Sequence, residues 1–382
     1  MLSHLFQSVL DWLEAFLMHH WERKTVLVSI ASLLLFSCPS PSKLAIFSQT
    51  NPNYPFLTEQ IQHPLIPQAH PPASHVAKRT FRLFMPLIGH LTGVSAKGLI
   101  IVQYAWGILF FVFLPKLVYR YSKDKISSFL FTLGMSALYV GKAFVLDYWA
   151  FFDGTAFFFL LLSLYFRTPW MLFVCLSCAF WTDERALAAS VSIAAFHLLV
   201  SYFESRDNKT AWRISPIVTI VAALSVYAVL RCYLHSSYEL TMGTEAMGIS
   251  WALQKYYRYM PFAIFQFLES YWFLVLFAFF YLASLPKRNG IFLSVLFLIG
   301  ICMQCGAALS VGDMIRSGAY LFIACLSAFV VISSLEPNLF SIRKLMVSIC
   351  IMAFLIPTYS NFGGRLIWMK PDLLLYNLWG TE

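Results

Sequence analysis

The chain has 382 residues, 59% of them hydrophobic and 12% Asp, Glu, Lys or Arg, with mean hydropathy +0.70 and formal net charge +9. A soluble domain carries about 25% charged residues, so a chain this apolar cannot cover itself with a polar surface, and a water-soluble globule is excluded. The 27 Lys and Arg are spread through short segments between apolar runs, not gathered in one patch, which excludes a nucleic-acid surface and leaves lipid as the solvent.

In lipid every backbone N–H and C=O needs an internal partner, so helices or a closed barrel remain. The apolar runs show no period-two alternation, which predicts an all-α, polytopic transmembrane helical bundle. In chain order, residues 1–22 come first. Leu2, Leu5, Phe6, Val9, Leu10, Leu13, Phe16 and Leu17 form an apolar stripe, with Asp11 and Glu14 off it, which predicts an amphipathic helix in the interface plane. Arg23 and Lys24 then precede the first apolar run, the order of a retained anchor. Runs at 25–38, 97–115, 126–146, 149–166, 168–182, 186–203, 213–235, 261–285, 290–311, 315–335 and 345–360 predict about eleven spans.

Loop charges orient this layout. Lys116, Arg120, Lys123, Lys125, Arg167, Arg206, Lys209, Arg213, Lys287, Arg288, Arg343 and Lys344 all fall on one side of it. That side is the cytoplasm by the positive-inside rule, with the N-terminus inside and the C-terminus outside. Two long loops, 39–96 and 236–260, then face outward. The expectation is one transmembrane domain over residues 1–382, in a cytoplasmic (inner) membrane, with an outward-facing site.

The eight cysteines lie mostly inside apolar runs. Cys175/Cys178 and Cys302/Cys305 have C-x-x-C spacing, but the apolar setting favours small hydrophobes over a zinc or redox pair.

Ionisable residues at span edges are costly to hold there and mark candidate sites. In LDYWAFFDGTAFFF, Asp147 reaches water, while Asp153 lies in an apolar run and needs a partner. Asp153 either favours the positive end of a helix or serves a site. In the TDER stretch, Thr182 or Asp183 caps the next helix and Glu184 suits its first turn. Arg185 is either the partner of Asp153 or Asp183, or a phosphate ligand. Asp313 and Arg316 have i, i+3 spacing and either pair or present Arg316 as a second anion ligand. The first long loop, proline-rich, carries Glu59, His63, His70, His75, Lys78, Arg79, Arg82 and His90. Its three spaced histidines are a weak metal pattern, and no metal site is assigned. Residues 74–91 read as an amphipathic surface helix carrying Lys78, Arg79 and Arg82, where headgroup contact is the plain alternative to a site. The second long loop adds Lys255 and Arg258. Carboxylates and guanidiniums from these outer segments are expected to ring one vestibule suited to a phosphate.

The run FFDGTAFFFLLLSLYFRTPW, followed by a span and FWTDERALAAS, resembles the acid–span–basic-turn–span–acid pattern of the GT-C superfamily of membrane glycosyltransferases. The inside N-terminus and the long first outer loop are similar too, and the likeness covers roughly the first 260 residues. It implies transfer of a sugar from a polyprenyl-phosphate carrier to a glycan or lipid acceptor at the outer face. Such enzymes carry a catalytic acid early in the first outer loop, and residues 39–96 contain a single acid, Glu59, which inherits that role; if Glu59 does not, Asp153 or Asp183 serves, or the chain is a non-catalytic relative. His63, Arg79, Arg82, Glu184, Arg185, Lys255, Arg258, Asp313 and Arg316 are the expected substrate contacts. A divalent cation is compatible with this chemistry and not required by it. The expected partners are membrane lipid, a lipid-phosphate-linked sugar donor and a glycan or lipid acceptor. The competing readings are a transporter or flippase, for which Lys142 and Arg231 are the deep charges, and a non-catalytic envelope-assembly subunit.

Overall fold

The computed structural model describes residues 2–37, 53–67, 79–147, 149–208, 214–240, 260–311, 313–356, 359–362 and 365–368. The chain is a helical bundle with the composition of a membrane-embedded protein. Its helices are α1 (Leu2–Leu17), α2 (Trp21–Ser37), α3 (Tyr54–Gln62), α4 (Phe84–Thr92), α5 (Ala96–Ser122), α6 (Lys125–Ala137), α7 (Tyr139–Leu146), α8 (Asp153–Tyr165) and α9 (Pro169–Thr182). They continue with α10 (Arg185–Asn208), α11 (Ser215–Tyr238), α12 (Met260–Leu268), α13 (Tyr271–Ala283), α14 (Lys287–Leu309), α15 (Met314–Gly318), α16 (Phe322–Leu335) and α17 (Leu339–Leu355). A short antiparallel hairpin, β1 (Tyr359–Phe362) with β2 (Arg365–Trp368), follows α17.

Among the described residues, five helices or helical stretches are long and apolar enough to cross a membrane, and up to seven if each of two bent pairs is one span. The expected count of eleven is therefore not met by length. The helix covering the run 25–38 and that covering 345–360 have 17 residues each. Those covering 149–166 and 168–182 have 13 and 14. A span needs about 20. The run 261–285 breaks at Glu269 and Ser270 into α12 and α13, which meet at 80°, and α6 and α7 meet at 55° around Leu138. Apolar content alone does not reveal such breaks. Glu269 takes positive φ (48°) and terminates α12.

Polar caps set other boundaries. Ser95 accepts from Gly98 N at the start of α5 (3.3 Å), and Lys123 ends that helix in the left-handed region. Asp124 caps α6, accepting from Ser127 N (2.9 Å) and Ser127 Oγ (2.7 Å). The same carboxylate takes Arg343 Nη2 of α17 (2.8 Å), and Arg343 also reaches Glu14 of α1 at 3.7 Å. This ties the amphipathic α1 to the bundle through Leu10, Leu13 and Leu17, which are buried. The predicted interfacial helix is thus packed on protein along one face.

At that same end Arg120 Nη1 donates to Tyr165 O (2.6 Å). The chain leaves this end along α6 and α7 and returns along α8. It then climbs α9 and descends α10. The turns 147–153 and 182–185 therefore share the opposite end, where the start of α15 joins them. At the centre stands the stretch Met314–Leu335, with 83% of its apolar window buried, against 22% for α11. A helix apolar on all sides belongs inside. Phe110 and Phe157 pack edge to face on its Phe322, and Phe144 tilts against Phe110.

Close packing at the bend of α12 depends on Gly318, where a Cβ would overlap the Phe267 ring. Gly318→Ala is expected to lower stability by about 1–3 kcal/mol. Gly306→Ala, whose Cβ meets nothing within 4 Å, is expected to leave stability unchanged or slightly higher. Thermal unfolding of the two purified variants in detergent checks the contrast.

Candidate functional site

The α7–α8 turn builds one wall. Ala150 (φ 57°) and Phe152 (φ 61°) both occupy the left-handed region. Neither residue favours it, and such strain persists only where surroundings impose it. Asp147 imposes it from within, its carboxylate accepting Phe152 N (2.6 Å) and Phe151 N (3.2 Å). Two residues of the first long loop clamp the outside: Asn53 Nδ2 donates to Trp149 O (3.0 Å) and Arg79 Nη2 to Ala150 O (2.7 Å). The turn delivers Asp153 as the first residue of α8, where the helix dipole favours its charge.

Asp153 is fully buried and is the hub of an ionic chain. Its Oδ1 accepts Arg185 Nη2 (2.6 Å) and Arg316 Nη2 (3.0 Å). Its Oδ2 accepts Arg316 Nε (2.6 Å) and the Tyr139 hydroxyl (3.2 Å). Asp183, also fully buried, accepts Arg185 N (2.9 Å) and Arg185 Nε (2.9 and 3.0 Å), pairs with Arg185 Nη2, and lies 3.3 Å from Arg82 Nη1. Arg82 forks onto Glu184 (3.0 and 2.8 Å), and Arg316 Nη1 holds Asp313 (2.6 Å). The result is an unbroken alternation: Glu184, Arg82, Asp183, Arg185, Asp153, Arg316, Asp313. Ser317 Oγ accepts Arg185 Nη1 (3.1 Å). Aromatic faces cover the cations: Tyr320 lies 5.5 Å from Arg185, and Phe151 lies 3.7 Å from Arg316 and 4.9 Å from Arg79.

This geometry sorts the candidate residues. Seven expected ones are joined: Arg82, Asp153, Asp183, Glu184, Arg185, Asp313 and Arg316. Arg79 borders them. The plain alternative considered for Arg185, a partner for Asp153 or Asp183, holds for both acids. The expected amphipathic helix over 74–91 is corrected. Helix α4 starts only at Phe84, and Arg79 and Arg82 precede it, turned inward rather than toward headgroups. Glu59 and His63 stand apart. Both are exposed on α3 or its C-cap, and the packed side of that helix is Phe56, Leu57 and Gln60. Lys255 and Arg258 lie outside the described residues, as do His70, His75 and Lys78. Tyr139, Ser317, Phe151 and Tyr320 escaped the sequence reading. An uncharged partner of a buried charge carries no signal of its own in one sequence.

A carboxylate offers about four lone-pair sites. The four donors on Asp153 fill them, so this carboxylate anchors two arginines and the Tyr139 hydroxyl. Burial alone would raise the Asp183 carboxyl, but Arg185 and Arg82 outweigh it and hold it well below the usual range. Arg82 is likewise buried, yet Asp183 and Glu184 keep it firmly charged. Asp147 behaves oppositely. Burial first, then the neighbouring Asp153, push its carboxyl from 3.8 up to about 6.

Beside the cluster, between α3, α4 and the start of α5, lies an open cavity of about 320 Å³ bordered by Tyr54, Thr58, Ile61, His90 and Ser95. Comparison with protein-family models, with curated proteins and with solved structures finds no match to this chain.

Asp153→Ala strands two buried guanidiniums and is expected to destabilise by about 3–5 kcal/mol. Asp313→Ala, at a half-exposed pair, is expected to cost under ~1 kcal/mol. Chemical or thermal unfolding in detergent separates the two. Asp147 sets a pH dependence. Its folded pKa is raised, so the folded state holds the proton more tightly, and stability falls as pH rises from about 4 to about 6. The loss amounts to roughly 3 kcal/mol at most, and Asp147→Asn is expected to flatten that part of the stability–pH profile.

Proposed function

We propose that this chain is a membrane glycosyltransferase-like enzyme of the outer face. It moves a sugar from a polyprenyl-phosphate carrier to a glycan or lipid acceptor. The supporting observation is the convergence of Arg82, Asp153, Asp183–Arg185 and Asp313–Arg316 at the bundle end opposite the basic Arg120, Lys123 and Arg343. By the positive-inside rule the basic end is cytoplasmic and the cluster faces outward. Under this topology the N-terminus is inside, and the shorter helices complete about eleven passes, tilted or within a thinned bilayer.

In this reading the ionic chain is a preorganised frame, which is what electrostatic catalysis on a phosphate leaving group needs. Asp153 and Asp183 orient the arginines. Glu59 is the proposed general base, because its exposed carboxylate forms no ion pair among the described residues. It takes the proton of the acceptor hydroxyl as that oxygen bonds to the sugar's anomeric carbon. The bond from that carbon to the carrier phosphate breaks, and the polyprenyl phosphate leaves with the electron pair. A divalent cation is compatible and not required. Glu59→Gln is expected to reduce transfer about 10²–10⁴-fold while leaving the unfolding midpoint unchanged. The proposal fails if the purified protein neither binds nor consumes a polyprenyl-phosphate sugar and Glu59→Gln has no effect in cells.

A second reading, a flippase for a lipid-linked anion, draws on the two bent spans. Glu269 sits at the 80° bend and Lys142 just past the 55° one, both fully buried. Broken helices with buried ionisable residues are the architecture of secondary transporters. Proteoliposomes decide between the two: a flippase moves a fluorescent polyprenyl phosphate between leaflets without any acceptor, and the transferase does not.

A further inference from the structure

Among the described residues five guanidiniums stand at this end of the bundle: Arg82, Arg185 and Arg316 have carboxylate partners, and Arg231 lies over the Phe81 ring and donates to the Tyr227 hydroxyl (2.8 Å). Arg82 holds Glu184 and touches Asp183, Arg185 holds Asp153 and Asp183, and Arg316 holds Asp153 and Asp313. Among the described residues Arg79 has no carboxylate partner. It is only 4% exposed, and the one hydrogen bond of its side chain there is from Nη2 to the Ala150 carbonyl. Its Nε and Nη1 are buried without a hydrogen-bond partner among the described residues. These two nitrogens carry three of the five N–H groups of an arginine. The nearest acid electrostatically is Asp147, whose oxygens are engaged by the backbone of Phe151 and Phe152.

A buried cation left unpaired is unstable, and proteins keep such groups where a ligand completes them. The surroundings confirm the imbalance. Burial, then the like charges of Arg82 and Arg316, bring the Arg79 guanidinium down to about 9. The phenyl rings of Phe56 (5.6 Å) and Phe151 (4.9 Å) stabilise the cation weakly and supply no acceptor. Arg82, Arg185 and Arg316 cannot easily turn to a ligand, since each would abandon a buried carboxylate.

We propose that Arg79 is the anion receptor of this site, taking one phosphate-class oxyanion on its free Nε and Nη1, while Arg82, Arg185 and Arg316 are structural. An oxyanion there gains charge-assisted hydrogen bonds and relieves the repulsion among Arg79, Arg82 and Arg316. Choosing phosphate over other oxyanions rests on the outer-face transferase reading; the receptor role of Arg79 rests on its unpartnered nitrogens.

The role makes an unusual demand on stability. An arginine paired with buried carboxylates destabilises the protein when removed; removing an unpaired one also relieves a buried uncompensated charge. The experiment is thermal unfolding of the full-length protein in detergent, alone, with inorganic phosphate, and with farnesyl phosphate. Wild type, Arg79→Met and Arg82→Met are compared. The expected result is a midpoint for ligand-free Arg79→Met close to wild type, the lost bond to Ala150 O being offset by removal of an unpaired buried charge, and one for Arg82→Met well below it. A rise of the wild-type midpoint with phosphate compound is expected, with at least a ten-fold weaker apparent affinity in Arg79→Met. A response to farnesyl phosphate alone assigns a lipid source for the anion, and an equal response to inorganic phosphate assigns a soluble one. The proposal is overturned if wild type responds to neither compound, if Arg79→Met responds like wild type, or if it unfolds as early as Arg82→Met. Phosphate binding lost in Arg79→Met without any sugar transfer by wild type retains the receptor and removes the transferase. Sugar transfer undiminished in Arg79→Met does the opposite.

Discussion

The bundle end that carries the candidate site depends on Asp153. One fully buried carboxylate is held by two guanidiniums from segments 32 and 163 residues away in sequence. A lone carboxylate in that position would be expelled or protonated. With Arg185 and Arg316 on it, the start of α8 is fixed against α10 and α15 together. Those three helices in turn carry Asp183, Ser317 and Tyr320 into place. The rest of the ionic chain extends outward from this point toward Glu184 and Asp313, which are the more exposed members. Exposure therefore grades along the chain, dry at the hub and wet at both ends, and the electrostatic strength of each link follows that gradient.

The two roles of charge at this end are distinct. In the hub, opposite charges satisfy one another and give rigidity. At the margin, where the first long loop meets the α7–α8 turn, the balance is deliberately incomplete. Arg79 is unpaired on two nitrogens, Asp147 holds a proton more readily than an ordinary aspartate, and two non-glycine residues sit at positive φ. A strained turn with an elevated acid, clamped by a depressed cation from the first long loop, is how a site differs from a scaffold.

Much of this was readable from residues. Asp153, Asp183, Arg185, Asp313 and Arg316 stood out because a charge at the edge of an apolar run needs a reason, and the structure joins all of them. Sequence alone could not choose between pairing and ligand binding, since a guanidinium that suits phosphate suits carboxylate equally. Span counting went less well. Hydropathy registers apolar length but not direction, so it reads the α12–α13 bend as one continuous run and grants a span to helices of 13 and 14 residues. The residues 74–91 looked amphipathic because Arg79 and Arg82 were assigned a polar face. In the fold they precede α4, and their charges turn toward Ala150, Asp183 and Glu184.

The tie at the opposite end has a consequence for biogenesis. Asp124 meets Arg343 across 219 residues, and the same arginine reaches Glu14 on the first helix. Asp153 likewise precedes Arg316 by 163 residues. During synthesis both aspartates leave the ribosome long before their distant partners exist. The contact of Arg343 with Glu14 on α1 forms only once α17 has been made. Neither long-range ion pair can close until Arg316 and Arg343 have been synthesised, so a chain truncated after α14 would retain most of its apolar surface yet lack both clasps.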